Sequence, residues 1–195
     1  HIRTLRQAAK TARDGDTIEV DAGDYEGDTA VWTQNDLIIR GTGTRPRLVA
    51  DGQAAEGKGI FVIKGGNATI ENLGFFGARV RDRNGAGIRL ERGRLRVIRC
   101  TFEGNENGIL TSNNASVELQ VSESTFLNNG AGDGRSHHLY AGRIAALEVT
   151  GSYFGPARIG HLLKSRAKTT SVLYNRLTGE GGTSSYEIDI RTETL

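Results

Sequence analysis

The chain has 195 residues, with 25 Lys+Arg against 23 Asp+Glu for a formal net charge of +2, and 36% hydrophobic residues alongside 27 glycines. Such a balance describes one folded domain rather than a disordered tail. No run approaches the roughly 18 consecutive apolar residues of a membrane span, and no positively charged start leads into an apolar core of the kind a signal peptide has. Charges of both signs are interspersed, so no basic block marks nucleic acid as a partner. Cys100 is the sole cysteine, which leaves neither an internal disulfide nor a CxxC zinc pair, and it reads as a core filler.

In chain order, Ile2, Leu5, Ala8, Ala9 and Ala12 recur at helical spacing. That spacing predicts a capping helix within residues 1–13, running from Ile2 to Arg13, stopped by the DGD segment at 14–16 before a strand at 17–20. From there an apolar, alternating segment ending in a small residue and phenylalanine repeats about every 25 residues. Its copies end at Phe75, Phe102, Phe126 and Phe154. A second series of short strands is interleaved, centred on Ile60, Ile88, Ile109, Leu139, Leu162 and Ile188, with turn-forming Asn, Gly and Asp clusters between.

A unit this short has no room for a crossover helix, and period-2 strands bury one face only, so successive coils must stack on each other. The prediction is an all-β right-handed parallel β-helix, a single-stranded solenoid over residues 1–195 with a short N-terminal capping helix. The four phenylalanines form one buried stack, and the second series forms an inward wall. A leucine-rich repeat would show a fixed Leu-x-x-Leu-x-Leu pattern, and a sandwich would show hairpin turns at closer spacing. The strand at 186–190 is expected to be an open edge. With no methionine and a start at His1, the chain reads as a processed form or a fragment whose C-terminal coils are missing.

The segments ARDGDTIEVDAGDY at 12–25 and LIIRGTG at 37–43 resemble the opening coils of bacterial right-handed β-helix proteins of the pectate-lyase-like superfamily. SHHLYAG at 136–142, GHLLKSRA at 160–167 and SYEIDI at 185–190 resemble segments shared by one little-characterised group within it. The superfamily contains polysaccharide lyases, epimerases, hydrolases, esterases and tailspike-like binders. The resemblance therefore implies a polysaccharide ligand, a monomeric solenoid and a periplasmic or extracellular setting, with Ca²⁺ as a possible cofactor.

Taking the second series as inward puts two outer rows beside it. One is Gly59, Gly87, Gly108, His138, His161 and Glu187; the other is Phe61, Arg89, Leu110, Tyr140, Leu163 and Asp189. With coils about 4.8 Å apart, His138 and His161 would be neighbours, and Lys164 and Arg166 leave the same strand. A polyuronide lyase needs a base for the proton α to a carboxylate and a positive group for the enolate-like charge that develops. His138, Tyr140, His161 and Lys164 are the candidate bases and acids, and Arg166 or Ca²⁺ the neutraliser. Arg89, Glu187 and Asp189 are candidate substrate contacts. The acidic ligands open to Ca²⁺ reduce to Glu187, Asp189 and Asp133. Two alternatives stand beside the lyase. One is a glycoside hydrolase using Glu187 and Asp189, which i, i+2 spacing sets about 6.5–7 Å apart. The other is a non-catalytic glycan-binding or structural solenoid. His137 falls on the opposite parity and is read as structural.

Overall fold

A computed structural model describes residues 2–191. It is a parallel β-solenoid of about seven turns, built from three seven-stranded parallel sheets and one short helix. Each full coil contributes one strand to each sheet. The fourth, for example, runs Arg94–Ile98 in sheet A, Thr101–Glu103 in sheet B and Asn107–Thr111 in sheet C. The repeat read above as a single strand ending in phenylalanine is therefore two strands that meet at a corner.

The corner has a local cause. Asn72, Arg99, Glu123, Gly151 and Tyr174 all adopt positive φ between 50° and 59°, a left-handed step that re-aims the chain within two residues. The small residue that follows satisfies the backbone there. Cys100 N–H donates to Ser124 Oγ, Ser124 N–H to Ser152 Oγ and Ser152 N–H to Asn175 Oδ1, at 3.1, 3.1 and 2.8 Å. This ladder accounts for the small residue two positions before Phe102, Phe126 and Phe154; before Phe75 that position holds Leu73.

The core follows the expected register. Phe75, Phe102, Phe126 and Phe154 are matched coil to coil, fully buried, with ring centroids 5.1, 4.8 and 4.5 Å apart and nearly parallel planes. Sheet A adds inward ladders of Leu95, Leu119 and Leu147 and of Val97, Val121 and Val149.

Sheet C departs from the predicted wall. Its register aligns Phe61, Ile88, Ile109, Leu139, Leu163 and Ile188, so Ile60 and Leu162 are each one residue out of line. The reason is that two successive residues turn inward at the corner between sheets B and C. A Cβ at Gly87 would lie 2.9 Å from the Phe102 ring, and one at Gly108 2.9 Å from the Phe126 ring. The slot holding Ile60, Gly87, Gly108, His138 and Leu162 therefore faces the interior, where glycine fits against a stacked ring.

The helix is shorter than its periodicity suggests, spanning Leu5–Thr11. Thr4 caps it by accepting the Gln7 N–H at 3.1 Å, and the Asp28 carboxylate takes the Leu5 and Arg6 amides. Ala12 turns extended, which ends the helix, while Ile2 lies outside it and is exposed. At the other end, Tyr186–Ile190 pairs on one side only among the described residues, and Ile188 and Ile190 are 44% and 45% exposed. No helix among the described residues is long and apolar enough to cross a membrane.

Candidate functional site

On the outer face of sheet C, the register sets Val62, Arg89, Leu110, Tyr140, Lys164 and Asp189 in one row. Phe61 and Leu163, predicted for this row, point into the core instead, and Lys164 stands directly between Tyr140 and Asp189.

His138 is not on this face. It is fully buried, 6.2 and 6.4 Å from the Phe126 and Phe154 rings, because it occupies the inward slot of the corner. Its Nε2 lies 2.9 Å from the Gly155 carbonyl and its Nδ1 2.8 Å from Asn129 Nδ2. A carbonyl only accepts and an amide NH₂ only donates, so the ring carries its proton on Nε2 and has no free nitrogen. Burial pushes its pKa down to about 4. It is a neutral core histidine.

The histidine that joins His161 is His137. Their rings stack 4.8 Å apart at 8°, and the His161 N–H donates to His137 Nδ1 at 2.9 Å. That bond fixes the neutral tautomer of His137 with its proton on Nε2, which faces Lys164 Nζ at 3.5 Å. His137 is also buried, and burial reinforced by Lys164 takes its pKa down to about 3.

Lys164 Nζ rests 4.7 Å above the Tyr140 ring and has no carboxylate within ion-pair distance among the described residues. Burial, then the Arg166 guanidinium, lowers its pKa, and Asp189 opposes them. Arg166 is held rigidly: it donates to Asp189 Oδ2 at 2.7 Å, to the Ser165 carbonyl at 2.8 Å and to the Asp189 carbonyl at 3.2 Å. Asp189 in turn lies 3.4 Å from both His161 Nε2 and Arg191 Nε, and its hydrogen bond from Arg166 keeps its carboxyl below the usual range. Burial lowers the His161 pKa, with Asp189 opposing the shift. His161 Nδ1 is buried without a partner.

Tyr140, His161, Lys164, Arg166 and Asp189 thus converge, together with His137, which parity alone assigned to the wrong side. Tyr186 adds a ring 5.2 Å from His161. The visible clue was the glycine at 87 and 108, the mark of a slot with no room for a side chain. Two predicted contacts lie elsewhere. Arg89 pairs with Glu91 at 2.9 Å, in a network with Lys58, and Leu110 separates it from Tyr140. Glu187 is exposed and makes no ion pair among the described residues.

No group of three or more His, Cys, Asp or Glu side chains that could hold a metal ion forms among the described residues. Of the carboxylates considered for Ca²⁺, Asp189 is engaged by Arg166, and Asp133 accepts the Arg135 N–H in a surface loop. Among the described residues these carboxylates do not come together as a calcium site would require. Compared with known proteins, the chain matches no family model, no curated sequence and no solved structure. The cluster itself offers one primary amine without a carboxylate partner, one clamped guanidinium and a phenol on a single face.

Proposed function

We propose that this face of sheet C binds an acidic, uronate-containing polysaccharide and cleaves it by β-elimination. The observation that carries the reading is Lys164: a half-buried amine with a lowered pKa, free of any carboxylate, beside a guanidinium locked by Asp189. In the proposed step the neutral Lys164 amine takes the proton from the carbon α to the substrate carboxylate. The electron pair forms the new carbon–carbon double bond, and the glycosidic carbon–oxygen bond at the β position breaks. The leaving oxygen takes a proton from the Tyr140 hydroxyl, and exchange with water returns both groups to their starting states. Arg166 neutralises the charge that gathers on the carboxylate. A preorganised donor in such a role is typically worth about 3–4 kcal/mol of barrier. The stacked rings of His137 and His161 buttress this face.

The resemblance to pectate-lyase-like β-helix proteins supports the same ligand class, and with it a periplasmic or extracellular setting and a monomeric solenoid. Hydrolysis by Glu187 and Asp189 has less support, because the Asp189 carboxylate is taken up by Arg166, His161 and Arg191 and Glu187 stands apart from the cluster. Incubation with a panel of uronate polymers distinguishes the two. Elimination yields an unsaturated sugar that absorbs in the ultraviolet, hydrolysis yields reducing ends alone, and binding without either product would leave a non-catalytic solenoid.

A further inference from the structure

We infer that the loops leading from sheet B to sheet C form a cationic wall that seats an acidic polysaccharide along the solenoid axis, extending from the Lys164 face toward the N-terminal coils. The proposal rests on the ligand class proposed above, not on the reaction.

The wall is assembled from three coils. The crossing at 104–106 is short, and the longer loops on either side close over it. Glu106, 5% exposed, fixes the first loop by accepting the Val80 and Gly85 N–H groups at 3.0 and 2.7 Å. Arg83 then reaches across to the Ala131 carbonyl at 2.5 Å and lies 3.6 Å from Asp133, which ties the loop at 77–85 to the loop at 128–138. The loop at 155–160 joins them through the Arg158 N–H, which donates to the Asn129 carbonyl at 2.9 Å.

This arch carries exposed Arg79, Arg81, Arg83, Arg135 and Arg158 against two exposed acids, Asp82 and Asp133, and the buried Glu106 carboxylate that anchors the first loop. Among the described residues Arg83 alone of the five has a carboxylate partner. On the outer face of sheet A, by comparison, Arg40 and Arg94 each pair with a glutamate on a neighbouring coil, and Arg96 donates to Gln120. The arch is also continuous with the cluster, since Arg135 and Arg158 lie just before His137 and His161 in sequence. Guanidinium groups recognise carboxylates in a bidentate manner, so a row of them suits a polymer bearing one carboxylate per unit. Nucleic acid fits less well, because residues 77–85 and 128–136 contain no aromatic ring on which a base would stack.

The test compares binding of oligogalacturonates, short and long, to the intact chain and to Arg79→Ala/Arg81→Ala by calorimetry at low and moderate salt. Neither arginine belongs to the Lys164 cluster, and the Glu106 and Arg83 anchors remain. The wall predicts that the double variant loses roughly three- to tenfold in affinity for long oligomers, as two exposed charge contacts would give, with a weaker salt dependence and unchanged affinity for dimers. Lys164→Ala should weaken both lengths. Equal binding of long oligomers by the wild type and the double variant would overturn the wall, as would equally tight binding of single-stranded nucleic acid or no binding of long oligomers at all. Binding without elimination would overturn the proposed reaction and leave the wall standing.

Discussion

At the scale of single residues, the cluster is a balance of charges around one amine. Burial and Arg166 lower the Lys164 pKa, while Asp189 raises it. Arg166→Gln should therefore move the Lys164 titration up, and Asp189→Asn should move it down; the side-chain carbon and nitrogen shifts of Lys164, followed by NMR against pH, report both. In the proposed reaction the base must be deprotonated, so the acid limb of the rate profile should follow the same shifts. His138 supplies an independent prediction. Its folded pKa of about 4 lies below the ordinary histidine value of 6.5, so the unfolded chain binds the proton more tightly. Its stabilising contribution is complete above pH 6.5 and is lost as pH falls toward 4, by on the order of 3 kcal/mol. Denaturant unfolding at pH 7 and pH 4.5 should show the loss, and His138→Leu, which copies Leu162 one coil on, should reduce that slope. A slope unchanged by the substitution would assign the acid sensitivity elsewhere.

At the scale of elements, alternation located most strands, and the phenylalanine ladder emerged from the repeat alone. Three strands per coil did not, because a left-handed corner of two residues leaves the apolar run looking continuous. The trace it leaves is a break of phase: Leu95 and Val97 point inward, then Cys100 and Phe102. The second corner, between sheets B and C, turns two successive residues inward, which exchanged His137 and His138 in the predicted site. Tyr140 and Asp189 were legible because alternation holds around Leu139 and Ile188, whereas Lys164 and Arg166 were singled out only as cations leaving their strand, since alternation about Leu162 had turned Leu163 outward in the place that Lys164 takes. Phe102→Ala removes a ring stacked between Phe75 and Phe126 with no space to collapse, and should cost on the order of 3–5 kcal/mol in chemical unfolding. A loss below about 1 kcal/mol would be incompatible with a rigid stack.

For the whole molecule, parallel stacking converts a sequence interval into a spatial one: segments at 136–142, 160–167 and 185–190, far apart along the chain, become neighbouring rungs of sheet C. The same geometry ties arginine-bearing loops from three coils together through Arg83 and the Arg158 amide. In the proposed function a linear polymer would run along the solenoid axis, with the Lys164 amine near one end of its path. The most direct test of this account is the ultraviolet absorbance produced from a uronate polymer by the wild-type chain and by Lys164→Ala, with the fold of the variant checked by circular dichroism. The account predicts an absorbing product from the wild type and a rate lower by about 10²–10⁴-fold in the variant, the usual contribution of a general base. Undiminished elimination by Lys164→Ala, or no absorbing product from the wild type on any uronate polymer, would contradict it.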